Sequence, residues 1–188
     1  LGYVGKPFHL MGTSIGATSA DNDVLVPDYP LLPTRRRFWE RTLRAIDIAG
    51  TAAQLRTQLR VTHEAARQVA NKPVGNVVPA DVIYWQQQPS MLQSGILLGE
   101  IASMITELDD GSEDGKLKSR LCATIFLIGK LPTEGPYTTG LKASPDILSD
   151  LLVEDLTTDS TALRKKIPSL LDQLVEDGIL MPLENEYR

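Results

Sequence analysis

Apolar residues recur at helical spacing along most of the chain, and the pattern is most regular in the last third, residues 116–188. The first helix predicted there is apolar nearly all round, which indicates burial, and the two that follow have one apolar face each. Ser144 and Pro145 suit the start of the second helix, because a hydroxyl can cap the first turn and proline fits the first helical position. Residues 179–188 then predict two short strands joined by a tight polar turn.

Together with a short extended piece at 139–143, these elements have the order of a winged helix. Its third helix would be the one that enters a DNA groove, and it carries Arg164, Lys165 and Lys166 near its start. From residue 142 to residue 188, however, 10 acidic residues outnumber 5 basic ones. Because attraction to phosphates dominates nucleic-acid affinity, this balance favours contact with a protein or another domain over contact with DNA.

The first part of the chain predicts a helical bundle at residues 34–110, preceded by a poorly patterned and irregular segment at residues 1–33. The helices of this bundle are expected at about 34–48, 50–71 and 90–108, and residues 79–81 indicate a further helical start. An acidic turn at residues 109–115 marks the expected boundary with the winged-helix domain at 116–188. The predicted fold class is therefore mainly α, a helical bundle followed by a winged-helix domain with a small β-hairpin.

Three consecutive arginines, Arg35, Arg36 and Arg37, fall in the first turn of the first helix of the bundle. Positive charge at that position opposes the helix dipole by about 0.3–1 kcal/mol for each exposed residue. Either the helix starts later, or an anion or an acidic partner docks there. A solvated arginine cluster is an equally good alternative.

The second helix of the bundle carries two stripes. The apolar stripe has spacings of three and four, which suit close helix packing; it consists of Ala52, Leu55, Leu59, Thr62, Ala66 and Val69. The basic stripe consists of Arg56, Arg60, His63 and Arg67. Four basic side chains on one line repel each other unless something anionic lies across them. Alternatively, their aliphatic stems cover the edge of the apolar stripe while the charged groups stay in water.

The overall charge of −5 hides an asymmetry, because residues 34–68 contain 8 arginines and only 3 acidic residues. The hydrophobic fraction of 42% suffices for a core, and no apolar run is long enough to cross a membrane. The single cysteine, Cys122, lies in an apolar helix and is expected to pack there, which fits a reducing cytoplasm. The chain lacks an initiating methionine and is expected to be a piece of a longer protein.

Motifs for catalysis are missing from the sequence. It contains no GxxxxGK[ST] phosphate-binding loop, no HExxH motif and no cluster of cysteine and histidine. Catalysis confined to this chain is therefore not expected, and no metal site is predicted.

Several runs of the sequence resemble one family from about Asp28 to the end of the chain. They include YPLLPTRRRFWERTLRA, GTAAQLRTQLRVTHEA, LQSGILLGEI, RLCATIFLIGKLP and ALRKKIPSLLDQLVEDGILM. These runs are similar to the large P-loop ATPase of bacterial BREX phage-defence systems (the BrxC/PglY type). That family resembles AAA+ ATPases, in which a helical lid covers the nucleotide and a winged helix follows. The resemblance implies a lid at residues 34–110.

The resemblance also implies roles for single residues. An arginine at the start of a lid helix reaches the terminal phosphates of the nucleotide in AAA+ proteins, and the run GTAAQLR points to Arg56, with Arg60 as the second choice. ATP and Mg²⁺ would be bound by the parent protein and not by this piece alone. The implied partners are other defence-system proteins, with double-stranded DNA as a further candidate, and other subunits of an oligomeric ATPase in the cytoplasm.

A second hypothesis comes from a different class of protein. The chain could be a stand-alone DNA-binding transcriptional regulator, with the winged helix on DNA and the helical half as a dimerisation module. That hypothesis requires duplex binding that weakens steeply as salt rises.

Overall fold

In a computed structural model of the protein, which describes residues 10–47, 55–157 and 160–188, the chain is mainly helical and has one small antiparallel sheet. This confirms the mainly α class. The helices of the described residues are α1 (Asp21–Asp28), α2 (Pro33–Ala45), α3 (Leu55–Val69), α4 (Val82–Gln93), α5 (Gly99–Glu107), α6 (Glu113–Gly129), α7 (Pro145–Leu152) and α8 (Thr161–Glu176). The strands are β1 (Pro182–Leu183) and β2 (Glu186–Tyr187).

The last third of the chain follows its local signals closely. Ser144 caps α7 by accepting a hydrogen bond from the backbone N–H of Ile147, and Pro145 is the first helical residue, as predicted. β1 pairs with β2 as the predicted hairpin. The backbone N–H of Tyr187 also donates to the carbonyl of Ala143 at 3.1 Å, so the segment before α7 lies beside β2.

The first half departs from expectation in two places. The segment at 1–33 contains the short helix α1, and the helix expected at 90–108 is divided between α4 and α5. Helix α4 begins at Val82, directly after the start indicated at 79–81, which confirms that signal. Gly95 separates the two helices with a φ of +75°, a left-handed conformation that ends α-helices and favours glycine. Ser90, at which the helix of 90–108 was expected to begin, lies inside α4 and does not cap a helix.

Helix α3 packs through a different face from the one predicted. Its buried residues are Val61, Ala65 and Val69, at spacings of four, whereas Leu55 and Leu59 are 71% and 61% exposed. The predicted apolar stripe is therefore wrong as the packing face, except at Val69, which belongs to it and is buried. The part of that prediction at Ala52 lies outside the described residues.

The buried apolar residues form one cluster, which includes residues from Leu10 to Leu174 and from each of the helices α2 to α8. The segment between α3 and α4 connects the two halves, because its backbone bonds to the end of α7 and the residues after it. Val77 donates to the Glu154 carbonyl at 2.8 Å and Ala80 to the Leu151 carbonyl at 2.9 Å. Both the core and these backbone hydrogen bonds therefore join residues before the acidic turn at 109–115 to residues after it.

Candidate functional site

The basic stripe of α3 forms an exposed face of the molecule, here called the basic face and defined by Arg56, Arg60, His63 and Arg67. All four side chains are exposed. The geometry follows from the helix, because residues 4, 7 and 11 positions apart fall on one line. That line lies opposite the buried residues of α3, so the basic face points directly away from the core.

Few acidic groups neutralise the basic face. Arg60 pairs with Glu64 one turn away, at 3.6 Å between Nη1 and Oε1, with both side chains about half exposed. An exposed pair of this kind contributes little and leaves the charge accessible. Within the described parts of the chain, Arg56 and Arg67 have no ion-pair partner. The face therefore keeps a positive charge that an external anion could contact.

Arg35 has a different environment from the one predicted, because its side chain is buried at 1% exposure. Its Nη1 donates to the Val78 carbonyl at 2.6 Å, and its Nη2 donates to the carbonyls of Val153 at 2.6 Å and Asp150 at 3.1 Å. Burial lowers the pKa of Arg35 to about 9, opposed by the attraction of Asp81. The guanidinium thus connects α2 to the segment before α4 and to the end of α7. Because it is buried, an external ligand cannot reach it.

Arg36 and Arg37 also find their partners within the chain. Arg36 contacts Asp28 at 2.9 Å, and Arg37 makes a two-point contact with Asp21 at 2.7 and 2.8 Å. The hydrogen bonds from Arg37 lower the pKa of Asp21 to about 2. Helix α2 does start at Pro33, so the three arginines do lie against its dipole. The carbonyls and carboxylates around them account for the cluster without an external anion.

On α8, two of the three basic residues predicted to contact DNA or a partner are paired with carboxylates. Arg164 bonds to Asp150 and lies 3.4 Å from Asp146, and Lys166 pairs with Asp114. Lys165 is exposed and has no ion-pair partner in the regions the structure covers. The rest of the exposed face of α8 includes Asp172, Gln173 and Glu176, so that face is acidic overall.

The polar centre around Arg120 on α6 has no local signal in the sequence. Its guanidinium makes a two-point contact with Asp81, at 2.9 and 3.0 Å, and reaches Glu154 at 2.5 Å. Although burial disfavours the charged form, the attraction of Asp81 and Glu154 raises the pKa of Arg120. Trp85 donates a further hydrogen bond to Asp81. Arg120 and Asp81 are 39 residues apart, and each partner lies on a different segment. No local sequence pattern therefore connects them.

Candidates for chemistry are few in the described chain. Cys122 is buried as expected, and burial raises the pKa of its thiol to about 12, which keeps it protonated and unreactive at neutral pH. Across the residues that the structure describes, no cluster of three or more histidine, cysteine, aspartate or glutamate side chains could hold a metal ion. In the same residues, no helix is both long and apolar enough to span a bilayer.

Comparison with known proteins does not assign the chain to a class. No protein-family model matches it, and no solved structure matches it. The surfaces described above are therefore the observations from which its function has to be inferred.

Proposed function

We propose that this chain is the lid and winged-helix portion of a bacterial anti-phage P-loop ATPase of the BREX type. In this role α2 to α5 form the lid, which senses nucleotide bound by another part of the parent protein. The region from α6 to β2 forms the winged helix, which docks a partner protein. The observation that carries the proposal is the exposed basic face of α3, with Arg56 in the first turn of the described helix.

The basic face suits contact with phosphate. A guanidinium can donate two parallel hydrogen bonds to phosphate oxygens, and it keeps its charge at any physiological pH. Arg56 is exposed and is not committed to an ion pair in the described residues, so it can reach an external phosphate without first breaking an internal contact.

Backbone contacts support the winged-helix assignment. Helix α6 is followed by the extended residues before α7, then by α7, α8 and the hairpin. The bond from Tyr187 to Ala143 places the extended segment beside β2, on the side away from β1. This order of three neighbouring segments is the one found in the small sheet of winged helices.

The exposed surface of α8 favours a protein partner. Arg164 and Lys166 are paired with Asp146, Asp150 and Asp114. Lys165 then shares the exposed face of α8 with Asp172 and Glu176. A stand-alone DNA-binding regulator would need this helix to approach phosphates, and a net negative surface opposes that approach. That hypothesis is therefore less well supported than the ATPase lid.

Replacement of Arg56 by alanine in the full-length ATPase tests the proposal. We expect kcat for ATP hydrolysis to fall by about 10- to 100-fold, the equivalent of one lost charge-assisted hydrogen bond in the transition state. Helix content measured by circular dichroism should stay unchanged, because the Arg56 side chain is exposed.

Arg67→Ala is the matched control. Arg67 lies on the same face of α3 and is equally exposed, but it is 11 residues away, a distance of about 16 Å along a helix. One bound nucleotide terminus cannot contact both residues, so kcat should be nearly unchanged in this variant. If Arg56→Ala and Arg67→Ala have the same turnover as the wild type, the nucleotide-sensing role of Arg56 is wrong.

A further inference from the structure

An open apolar groove lies between α2 and α3, with a volume of about 360 Å³. Its apolar lining is Leu31, Trp39, Leu43, Leu55, Leu59 and Val61. Leu55 and Leu59 are 71% and 61% exposed, although both are large aliphatic side chains on an ordered helix. Exposed apolar residues that gather at one groove indicate a surface that binds a partner.

Positive charge borders the groove on the side of α3. On the helix, Leu55 and Leu59 lie between the groove and the line formed by Arg56 and Arg60. A partner that covers the two leucines would therefore reach both guanidinium groups. The groove selects for an occupant that has apolar side chains and acidic residues close beside them.

The hairpin at the other end of the chain has this composition. Met181 is 63% exposed and Leu183 is 37% exposed, and Leu183 is followed directly by the turn residue Glu184, which is also exposed. Glu176 and Asp177, at the end of α8, precede the hairpin and are exposed as well. We call residues 176–184 the acidic hairpin surface.

The position of two of these acids gives a physical reason for a cationic partner. Glu176 and Asp177 lie at the C-terminal end of α8, where the helix dipole is negative, and the last turn contains no basic residue. An exposed acid at that position destabilises the helix. Among the described residues, Asp177 forms a long ion pair with Lys118, at 4.0 Å between Oδ2 and Nζ. Nearby arginines would offset this cost.

We propose that the groove between α2 and α3 binds the acidic hairpin surface of a second copy of this chain. Met181 and Leu183 would contact Leu55 and Leu59, and the acids would face Arg56 and Arg60. Both surfaces are exposed within a single copy, so they do not cover each other there. The regional charges agree, because residues 34–68 have 8 arginines and 3 acids, whereas residues 142–188 have 5 basic and 10 acidic residues.

The contact uses two different surfaces, so it is a head-to-tail interface. Two copies that exchange hairpins reciprocally close as a dimer, whereas any other arrangement leaves one free groove and one free hairpin on each dimer and builds rings or longer chains. The inference concerns the chain itself and does not depend on a role in an ATPase.

Analytical ultracentrifugation of the 188-residue chain tests the proposal. The weight-average mass of the wild type should rise with concentration to that of a dimer or beyond, and the rise should weaken as salt screens the charges. Leu59→Glu removes the groove and Met181→Glu removes the hairpin, so each variant alone should stay monomeric. An equimolar mixture of the two variants should form a dimer that grows no further, because one good groove and one good hairpin remain.

Val74→Glu is the control for a general effect of added charge. Val74 is 87% exposed and lies outside both surfaces, so this variant should assemble as the wild type does. Circular dichroism should show that all three variants keep the wild-type helix content, since each changed side chain is exposed. A wild-type chain that stays monomeric at all soluble concentrations would overturn the proposal, and so would a variant mixture that stays monomeric.

Discussion

At the scale of single residues, arginine side chains connect segments that are far apart in the sequence. Arg35 on α2 donates to three carbonyls that belong to residues 78, 150 and 153. A guanidinium can do this because its donors are spread around a flat group, whereas an ammonium group concentrates its donors at one point. Burial of the charge is tolerated because strong acceptors surround it.

Replacement of Arg35 by methionine should lower the free energy of unfolding by about 3–5 kcal/mol. The apolar side chain fills part of the space, but it leaves buried carbonyls without their donors, and each loss costs about 1–3 kcal/mol. Urea denaturation followed by circular dichroism measures the change.

Arg44→Met is the matched control for this prediction. Arg44 lies on the same helix and is exposed, so its replacement should change stability by about 0.5 kcal/mol or less. Equal stability of the two variants would show that the carbonyls around Arg35 do not need its guanidinium.

The arginine cluster shows what sequence can and cannot predict about the site. The helix dipole correctly indicates that Arg35, Arg36 and Arg37 need negative or polar partners. The identity of those partners cannot be predicted, because the backbone at 153 and the carboxylates of Asp21 and Asp28 reach the cluster only through the tertiary fold. By contrast, Arg56 and Arg60 share one helical line and are both exposed, and their role in nucleotide sensing stays a prediction.

At the scale of elements, local signals determine where helices begin more reliably than which face they bury. The start of α7 and the hairpin follow from Ser144, Pro145 and the turn at Glu184, which act within a few residues. The buried face of α3 does not follow from its apolar pattern. The helix has one apolar line through Val61, Ala65 and Val69 and a second, equally regular line through Leu55 and Leu59. Contacts with other elements decide between the two lines, and the sequence of α3 alone does not contain them.

The N-terminal caps of α6 and α8 provide a matched test at this scale. Ser112 accepts a hydrogen bond from the backbone N–H of Gly115 at 2.9 Å, whereas Ser160 precedes α8 without a side-chain cap bond. Ser112→Ala should therefore lower the free energy of unfolding by about 1 kcal/mol.

Ser160→Ala should change the free energy of unfolding by only a few tenths of a kcal/mol, because it removes no capping bond. Chemical denaturation of both variants under the same conditions measures the difference. A loss as large for Ser160→Ala as for Ser112→Ala would contradict the assignment of the caps.

At the scale of the whole molecule, the contacts that cross residues 109–115 bear on the predicted division into two domains. Arg120 on α6 bonds to Asp81 before α4 and to Glu154 after α7, and the apolar core is continuous across the same place. Domains that unfold independently share few contacts. Such extensive contact leads us to expect that the two halves unfold together.

Arg120→Met tests this expectation. The change leaves the carboxylate of Asp81, which is 3% exposed, without its cationic partner, and loss of one member of a buried pair typically costs about 3–5 kcal/mol. Trp39 and Trp85 both lie in the first half, so tryptophan fluorescence reports the unfolding of that half, while far-ultraviolet circular dichroism reports all helices. Both signals should shift together, to the same lower urea concentration.

Lys118→Met, on the same helix, is the control for this experiment. Its contact with Asp177 is 4.0 Å long, so the replacement should cost about 1 kcal/mol or less. The contrary result would be a fluorescence transition of Arg120→Met that shifts to lower urea while part of the circular dichroism signal is still lost at the urea concentration of the wild type. That part could only come from the second half of the chain, since both tryptophans belong to the first. The Arg120 contacts would then join two units that fold separately, and the division at residues 109–115 would describe the molecule better than its continuous core does.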